Sequence, residues 1–338
     1  LQEEQFNAAA APQFLGSLDQ VGQNIILYGA TGTGKSFAIE SRIAGSKVRS
    51  TVFHPDTQNS DFVGCLKPFM DGKNVKYCFR PGPFTLAIID AFQETEKHVV
   101  LKIEELNRAP AAAVFGEIFQ LLDRTPSGES EYDIDIADPD MAKYISSLAP
   151  KAINEGKLKI PSNLSILATM NSSDQAVMPL DTAFKRRWIF EYLPIDYSHS
   201  HSGALYVPIK DKVEQIPWSA FGAVLNKCMK GEVPEDRLLG QWFVSPEELI
   251  TREKSENTLT GKIFLYLWDD VLRHSDRSIV FQTNEIETLG DLFNAYKNGK
   301  SIFNDEIENS LLEVARAQFV DPPKTEESSS ETVEVSES

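Results

Sequence analysis

The chain has 338 residues, of which 41% are hydrophobic and 25% charged, and its formal net charge is −17. That length suggests about two domains of ordinary globular composition, and no apolar run reaches the ~20 residues that a membrane-spanning helix needs. The negative charge argues against broad nonspecific DNA binding by the isolated chain, while leaving room for a local basic patch in an oligomeric pore.

In chain order, residues 1–22 contain AAAAPQFLGSL and read as a lead-in of helix and turn. The chain opens on Leu1 without a signal peptide, so an upstream start and a missing N-terminal domain are left open. QNIILY (23–28) is a short apolar strand, followed by GATGTGKS (29–36) and then SFAIESRIAG, which continues as a helix. VRSTVFHP (48–55) is β-branched and predicts a second strand. Asp71-Gly72 and Asn74 mark a turn inside 66–82, which predicts a hairpin. PFTLAIIDAFQETEK (83–97) reads as a helix with Pro83 near its start. The run Val99, Val100, Leu101, Ile103 suits a strand buried on both faces, and it ends in Glu104-Glu105. Residues 112–123 have helical periodicity, 124–158 form a polar acidic insertion with one helix near 141–153, and LSILATMN (164–171) is another buried strand. RRWIFEYLP (186–194) holds the last strand.

Strands alternating with helices predict an α/β fold, a parallel sheet with helices on both faces, over residues 23–200. From 203 to 320 the pattern predicts helices without strands: a small all-helical domain. It includes 218–231, a capping box at Ser245-Pro246-Glu247-Glu248, the apolar helix 261–272, and 288–299 with a C-terminal glycine. Residues 321–338 carry six acidic residues and one lysine, lack aromatics, and are expected to be a disordered tail. Cys65, Cys78 and Cys228 are scattered, which suits a reduced, cytoplasmic compartment.

The octapeptide carries the chemistry. Gly29-x4-Gly34-Lys35-Ser36 fits the phosphate-binding P-loop. Glycines let the backbone approach a ligand closely, and successive N–H groups form an anion-binding nest at a helix N-terminus. Residues Gly29, Ala30, Thr31, Gly32, Thr33 and Gly34 would form that cradle, Lys35 would reach the β- and γ-phosphates, and the Ser36 hydroxyl would ligate Mg²⁺. Ligands of parallel sheets gather at the carboxyl ends of strands, where Glu104, Glu105 and Asn171 also fall. One glutamate would hold Mg²⁺ and the other polarise the attacking water, which Asn171 could help to hold.

Together these segments resemble AAA+ ATPases, and within them the McrB-type motors of modified-cytosine restriction systems, related to MoxR and dynein modules. GATGTGKS resembles Walker A, VVLKIEELNRA Walker B, and ATMNSSDQ the sensor-1 and signature segment. LDTAFKRRW, FHPDTQNSDFVG, FRPGPF, RLLGQWFVSPEE and KIFLYLWDDV also resemble family segments, so the likeness spans roughly residues 22–305. The resemblance implies a homo-oligomeric ring, usually a hexamer, with ATP or GTP and Mg²⁺ bound between subunits. It assigns Glu105 to catalytic base, Glu104 and Ser36 to metal, and Asn171 to sensor 1. Asp174 of the signature segment is placed at the nucleotide. Arg186 and Arg187 become arginine-finger candidates, with Arg108 also facing a neighbour, and Arg237 a lid contact to nucleotide.

Two departures stand out. Glu104 replaces the family's aspartate, and Gln175 its signature arginine. Acceptors for guanine N1–H and N2–H are not identifiable, so ATP is slightly favoured. An NTP-driven motor would need a separate McrC-like nuclease or other effector, and would reach DNA through that partner or an upstream domain. A MoxR-like protein remodeller and a weakly hydrolysing nucleotide-bound scaffold are the competing readings.

Overall fold

The computed structural model describes residues 21–171 and 177–317. Strand β1 (Asn24–Tyr28) runs into the glycine-rich loop and helix α1 (Lys35–Arg42), and β2 (Lys47–Val52) follows. A short helix α2 (Asn59–Phe62) leads to the hairpin β3 (Gly64–Asp71) and β4 (Asn74–Pro81), then α3 (Pro83–Gln93) and β5 (Val99–Glu104). After α4 (Ala111–Phe115) and a 3₁₀ segment to Leu122 comes the insertion. It holds β6 (Ile134–Asp135), α5 (Pro139–Leu148), β7 (Ile153–Asn154) and β8 (Lys157–Leu158). Strand β9 (Leu164–Met170), helix α6 (Thr182–Lys185) and β10 (Ile189–Tyr192) complete the first unit.

The central sheet has order β10-β1-β9-β5-β2, and all its pairs are parallel. Alternation along the strands divides the core. Ile26, Leu101, Ile103 and Ile166 pack under α3, α4 and α5. Ile25, Leu27, Val100 and Leu167 pack under Ala38, Ile39 and Ile43 of α1 and its end. Burial on both faces is why β5 and β9 read as mostly apolar runs.

The β3–β4 hairpin turns at the predicted Asp71-Gly72, with Gly72 at φ 62. One face of it stays apolar and open: Met70, Val75 and Tyr77 are 59–68% exposed.

The second unit opens with an element that the sequence reading missed. Strands β11 (Ala204–Ile209) and β12 (Lys212–Pro217) form an antiparallel hairpin where only helices were expected. Its two-residue turn, Lys210-Asp211, has φ 48 and 60, a left-handed pair usually supplied by Asn-Gly. Helix α7 (Trp218–Met229) follows, and α8 (Arg252–Thr258) continues as wide helical turns to Val271, shown by Leu272 N–H donating to Leu267 five residues back. Helices α9 (Leu289–Lys297) and α10 (Asp305–Ala317) finish the unit. Its own core joins Leu205, Val207 and Ile216 of the hairpin to Phe221, Phe264, Leu292 and Leu311. The 321–338 tail and residues 1–20 of the lead-in lie outside the described residues. Among the described residues no helix is long and apolar enough to cross a membrane.

Candidate functional site

The glycine-rich loop leaves the carboxyl end of β1. Gly32 and Gly34 take φ 81 and 87, where a side chain would be strained, and a Cβ on Gly32 would sit 2.7 Å from the Phe243 backbone. The loop's carbonyls are all engaged. Those of Gly29 and Ala30 each accept from Lys35 Nζ at 3.0 Å, and that of Ala30 also from Thr33 Oγ1 at 2.9 Å. Those of Thr31 and Gly32 accept from the Gly240 and Trp242 N–H groups at 3.0 and 2.7 Å, and that of Thr33 from Gln241 Nε2 at 3.3 Å. An incoming anion therefore meets donors, the remaining loop N–H groups and the α1 N-terminus. Burial pushes the Lys35 ammonium down to about 8, against the opposing pull of Glu105, Glu104 and Asp236.

The second cluster stands at the ends of β5 and β9, of which β9 is the direct neighbour of β1 in the sheet. Glu104 Oε2 accepts from Ser36 Oγ at 3.0 Å and Thr169 Oγ1 at 2.6 Å. A hydroxyl and a carboxylate side by side are hard oxygen donors, and Mg²⁺ typically takes only one or two protein ligands beside substrate phosphates. Ser36 and Glu104 therefore fit the metal. Glu105 sits at φ 57, ψ 44, an uncommon conformation for a side chain other than glycine. Its carboxylate accepts from Asn171 Nδ2 at 3.2 Å and from Arg108 Nε at 3.2 Å. Among the described residues Asn171 Oδ1 is buried without a hydrogen-bond partner, an acceptor next to a carboxylate. Thus Glu104, Glu105, Asn171, Lys35 and Ser36 converge on one edge of the sheet. Arg108 faces Glu105 of its own subunit in this arrangement.

Three residues that the sequence reading passed over complete the cluster. Thr169 accepts from the Glu105 N–H at 3.1 Å while donating to Glu104, so it joins both acids. The Asn107 side chain donates to the Asn171 carbonyl at 2.6 Å and its backbone carbonyl accepts from the Met178 N–H, which fixes the end of β9. Asp236, on the turn of the second unit, has a buried Oδ1 without a partner among the described residues and acts on the Lys35 charge. The strand-end position of Thr169 was the one available signal; the other two depend on long-range packing.

The two arginines part company. Arg186 is exposed at the end of α6. Arg187 is only 8% exposed at its side chain, paired to Asp123 at 2.8 Å, and it lies 4.0 Å over the Phe119 ring. Arg187, expected as a finger, is thus engaged inside its own subunit. Arg237 is half-buried, 3.4 Å from the Asp270 carbonyl, on the same turn as Asp236. Asp174 lies outside the described residues.

A five-stranded parallel sheet, a P-loop after its first strand and strand-end acids and amide define a P-loop nucleoside triphosphatase of the AAA+ kind. The family model for the AAA domain, dynein-related subfamily, matches residues 24–188. The chain is 37% identical over 323 residues to the type II restriction enzyme BsuMI component YdiS of Bacillus subtilis (strain 168), covering 87% of this chain and 91% of that protein. It is 27% identical over 177 residues to the type IV methyl-directed restriction enzyme EcoKMcrB subunit of Escherichia coli (strain K12), covering 50% of this chain and 35% of that one. The match therefore spans about a third of the Escherichia coli protein. The chain belongs to the dynein-related AAA family and is a McrB-type AAA+ ATPase, related to McrB-like restriction components.

Proposed function

We propose that the chain is the motor subunit of a McrBC-like restriction system, hydrolysing ATP or GTP in a ring, a hexamer, with each site shared between neighbours. The observation that carries this reading is the position of Arg186. In a parallel sheet all strands point one way. The phosphate loop follows the carboxyl end of β1, whereas Arg186 precedes the amino end of the adjacent β10. The two lie at opposite edges, separated by a strand length of about 17 Å. That separation supports a role for Arg186 at another subunit's nucleotide rather than at its own.

Within the site, Glu105 would take the proton of the attacking water and Asn171 would orient it. Lys35 and the loop N–H groups would hold the phosphates. Mg²⁺ on Ser36 and Glu104 would neutralise charge on the β- and γ-oxygens. Arg237 and Asp174 are proposed as further nucleotide contacts. Both relatives are named as restriction components, which supports a separate nuclease subunit as partner, with DNA reached through it. The weakly hydrolysing scaffold is favoured by one observation, glutamate where the family has aspartate at 104.

One assay tests both readings: turnover of ATP and of GTP across a range of protein concentration. The motor reading expects hydrolysis to rise more than linearly as subunits assemble, with ATP the better substrate. Specific activity independent of concentration in a monomer counts against the shared site. Assembly without turnover selects the scaffold.

A further inference from the structure

The carboxylate assigned to Mg²⁺ has a cation behind it. Side-chain alternation along β5 puts Val100, Lys102 and Glu104 on the face covered by α1. The Lys102 side chain is only 13% exposed. Its ammonium is ion-paired with Glu40 of α1, and it lies 3.4 Å from Glu104 Oε1. Glu104 Oε2, the other oxygen, is the one held by Ser36 and Thr169. One carboxylate is thus gripped from two sides, with Glu40, Lys102 and Glu104 forming a charge relay of alternating sign.

We propose that Lys102 is a positioning residue for the metal carboxylate, and that Glu40 sets how strongly it acts. The inference rests on the nucleotide-and-metal reading of the site given above. Glutamate is one methylene longer than aspartate, so a free Glu104 could swing or offer both oxygens to a metal. Lys102 draws Oε1 back along the strand and leaves Oε2 alone beside Ser36. Its positive charge also opposes a divalent cation bound there, and Glu40 partly cancels that charge. The two substitutions therefore have opposite signs. Glu40→Gln leaves the ammonium wholly to Glu104 and weakens metal binding. Lys102→Met removes the opposing charge and tightens it, but frees Oε1 and so slows turnover.

The experiment titrates Mn²⁺, read by electron paramagnetic resonance, onto full-length protein saturated with ATP or a slowly hydrolysed analogue. Lys102→Met is expected to bind Mn²⁺ about fivefold more tightly, the effect of roughly 1 kcal/mol, while its turnover falls. Glu40→Gln, at a side chain 56% exposed and safe for folding, is expected to bind about fivefold more weakly. Lys102→Arg, which keeps the charge, is expected to match the unsubstituted protein. A merely structural ion pair would change melting temperature and leave the Mn²⁺ midpoint in place. Nucleotide-dependent Mn²⁺ binding that ignores both charge changes, or that moves the same way in both, overturns the role of Lys102. Absence of nucleotide-dependent Mn²⁺ binding in the unsubstituted protein instead overturns the reading of the site itself.

Discussion

At the scale of single residues the phosphate lysine is the sharpest case. Lys35 is buried and its ammonium holds its proton only to about pH 8. A bound phosphate favours the charged form, so above that pH binding must take up a proton. Nucleotide affinity should therefore be flat below about pH 7 and fall as pH rises through 8, by up to about tenfold per unit until the bound-state pKa is reached. Titrations at pH 7 and 9 check this, with Lys35→Ala expected to abolish binding at both. Equal affinity at the two pH values would count against a depressed Lys35 ammonium, and retained binding in Lys35→Ala would count against its contact with phosphate. The neighbouring conformation of Glu105 fits the same picture. A left-handed glutamate persists only where surrounding contacts hold it, and here Thr169, Asn171 and Arg108 do so.

At the scale of elements the decisive contact is between the phosphate loop and the segment Gly240–Phe243 of the second unit. Backbone meets backbone there, with Gly240 and Trp242 donating to Thr31 and Gly32. A Cβ on Gly240 would lie 2.2 Å from the Gly32 carbonyl carbon and 2.5 Å from the Thr33 nitrogen, atoms that cannot turn aside. Gly240→Ala should force the segment off the loop. We expect about 1–3 kcal/mol of lost stability, by analogy with overpacked cores, together with weaker nucleotide binding. Gly261→Ala is the control, since a Cβ there would meet nothing within 4 Å and the residue sits in a helical segment. That change should be neutral or slightly stabilising. Thermal melts with and without nucleotide separate the two, and a Gly240 variant that melts and binds normally would show the contact to be incidental.

At the scale of the whole molecule the proposed shared site and the different surroundings of the two arginines give them different expectations. Arg186→Ala should bind nucleotide and hydrolyse poorly, because a finger contributes about 10³–10⁵ in rate in related chemistry. Glu105→Gln should also bind and stall, for want of a base. Mixed together, the two should regain activity, since a site can then combine one subunit's intact Glu105 with the other's intact Arg186. Arg187→Ala should behave differently: loss of its Asp123 pair and its contact with Phe119 should lower the melting temperature first. Mixtures that never complement would count against the shared site.

Much of this protein was legible because its signals are local. The phosphate loop is eight consecutive residues, the strands of the sheet are apolar runs, and the Asp71-Gly72 turn and the Ser245 capping box are short patterns. These fixed the α/β class and brought Lys35, Ser36, Glu104, Glu105 and Asn171 to one sheet edge. What escaped depends on partners far away in sequence. The Lys210-Asp211 turn lacks the glycine that advertises a hairpin, so β11 and β12 emerge only from the packing of Leu205, Val207 and Ile216 into a helical core. Arg186 and Arg187 are adjacent and chemically identical in sequence; only the fold puts Asp123 and Phe119 beside one and solvent beside the other. Lys102 looks like an interruption of an apolar strand until α1 is laid over it with Glu40. Sequence determines the elements because hydrogen bonding and alternation act over a few residues, whereas the tertiary structure alone decides which charges share a small volume.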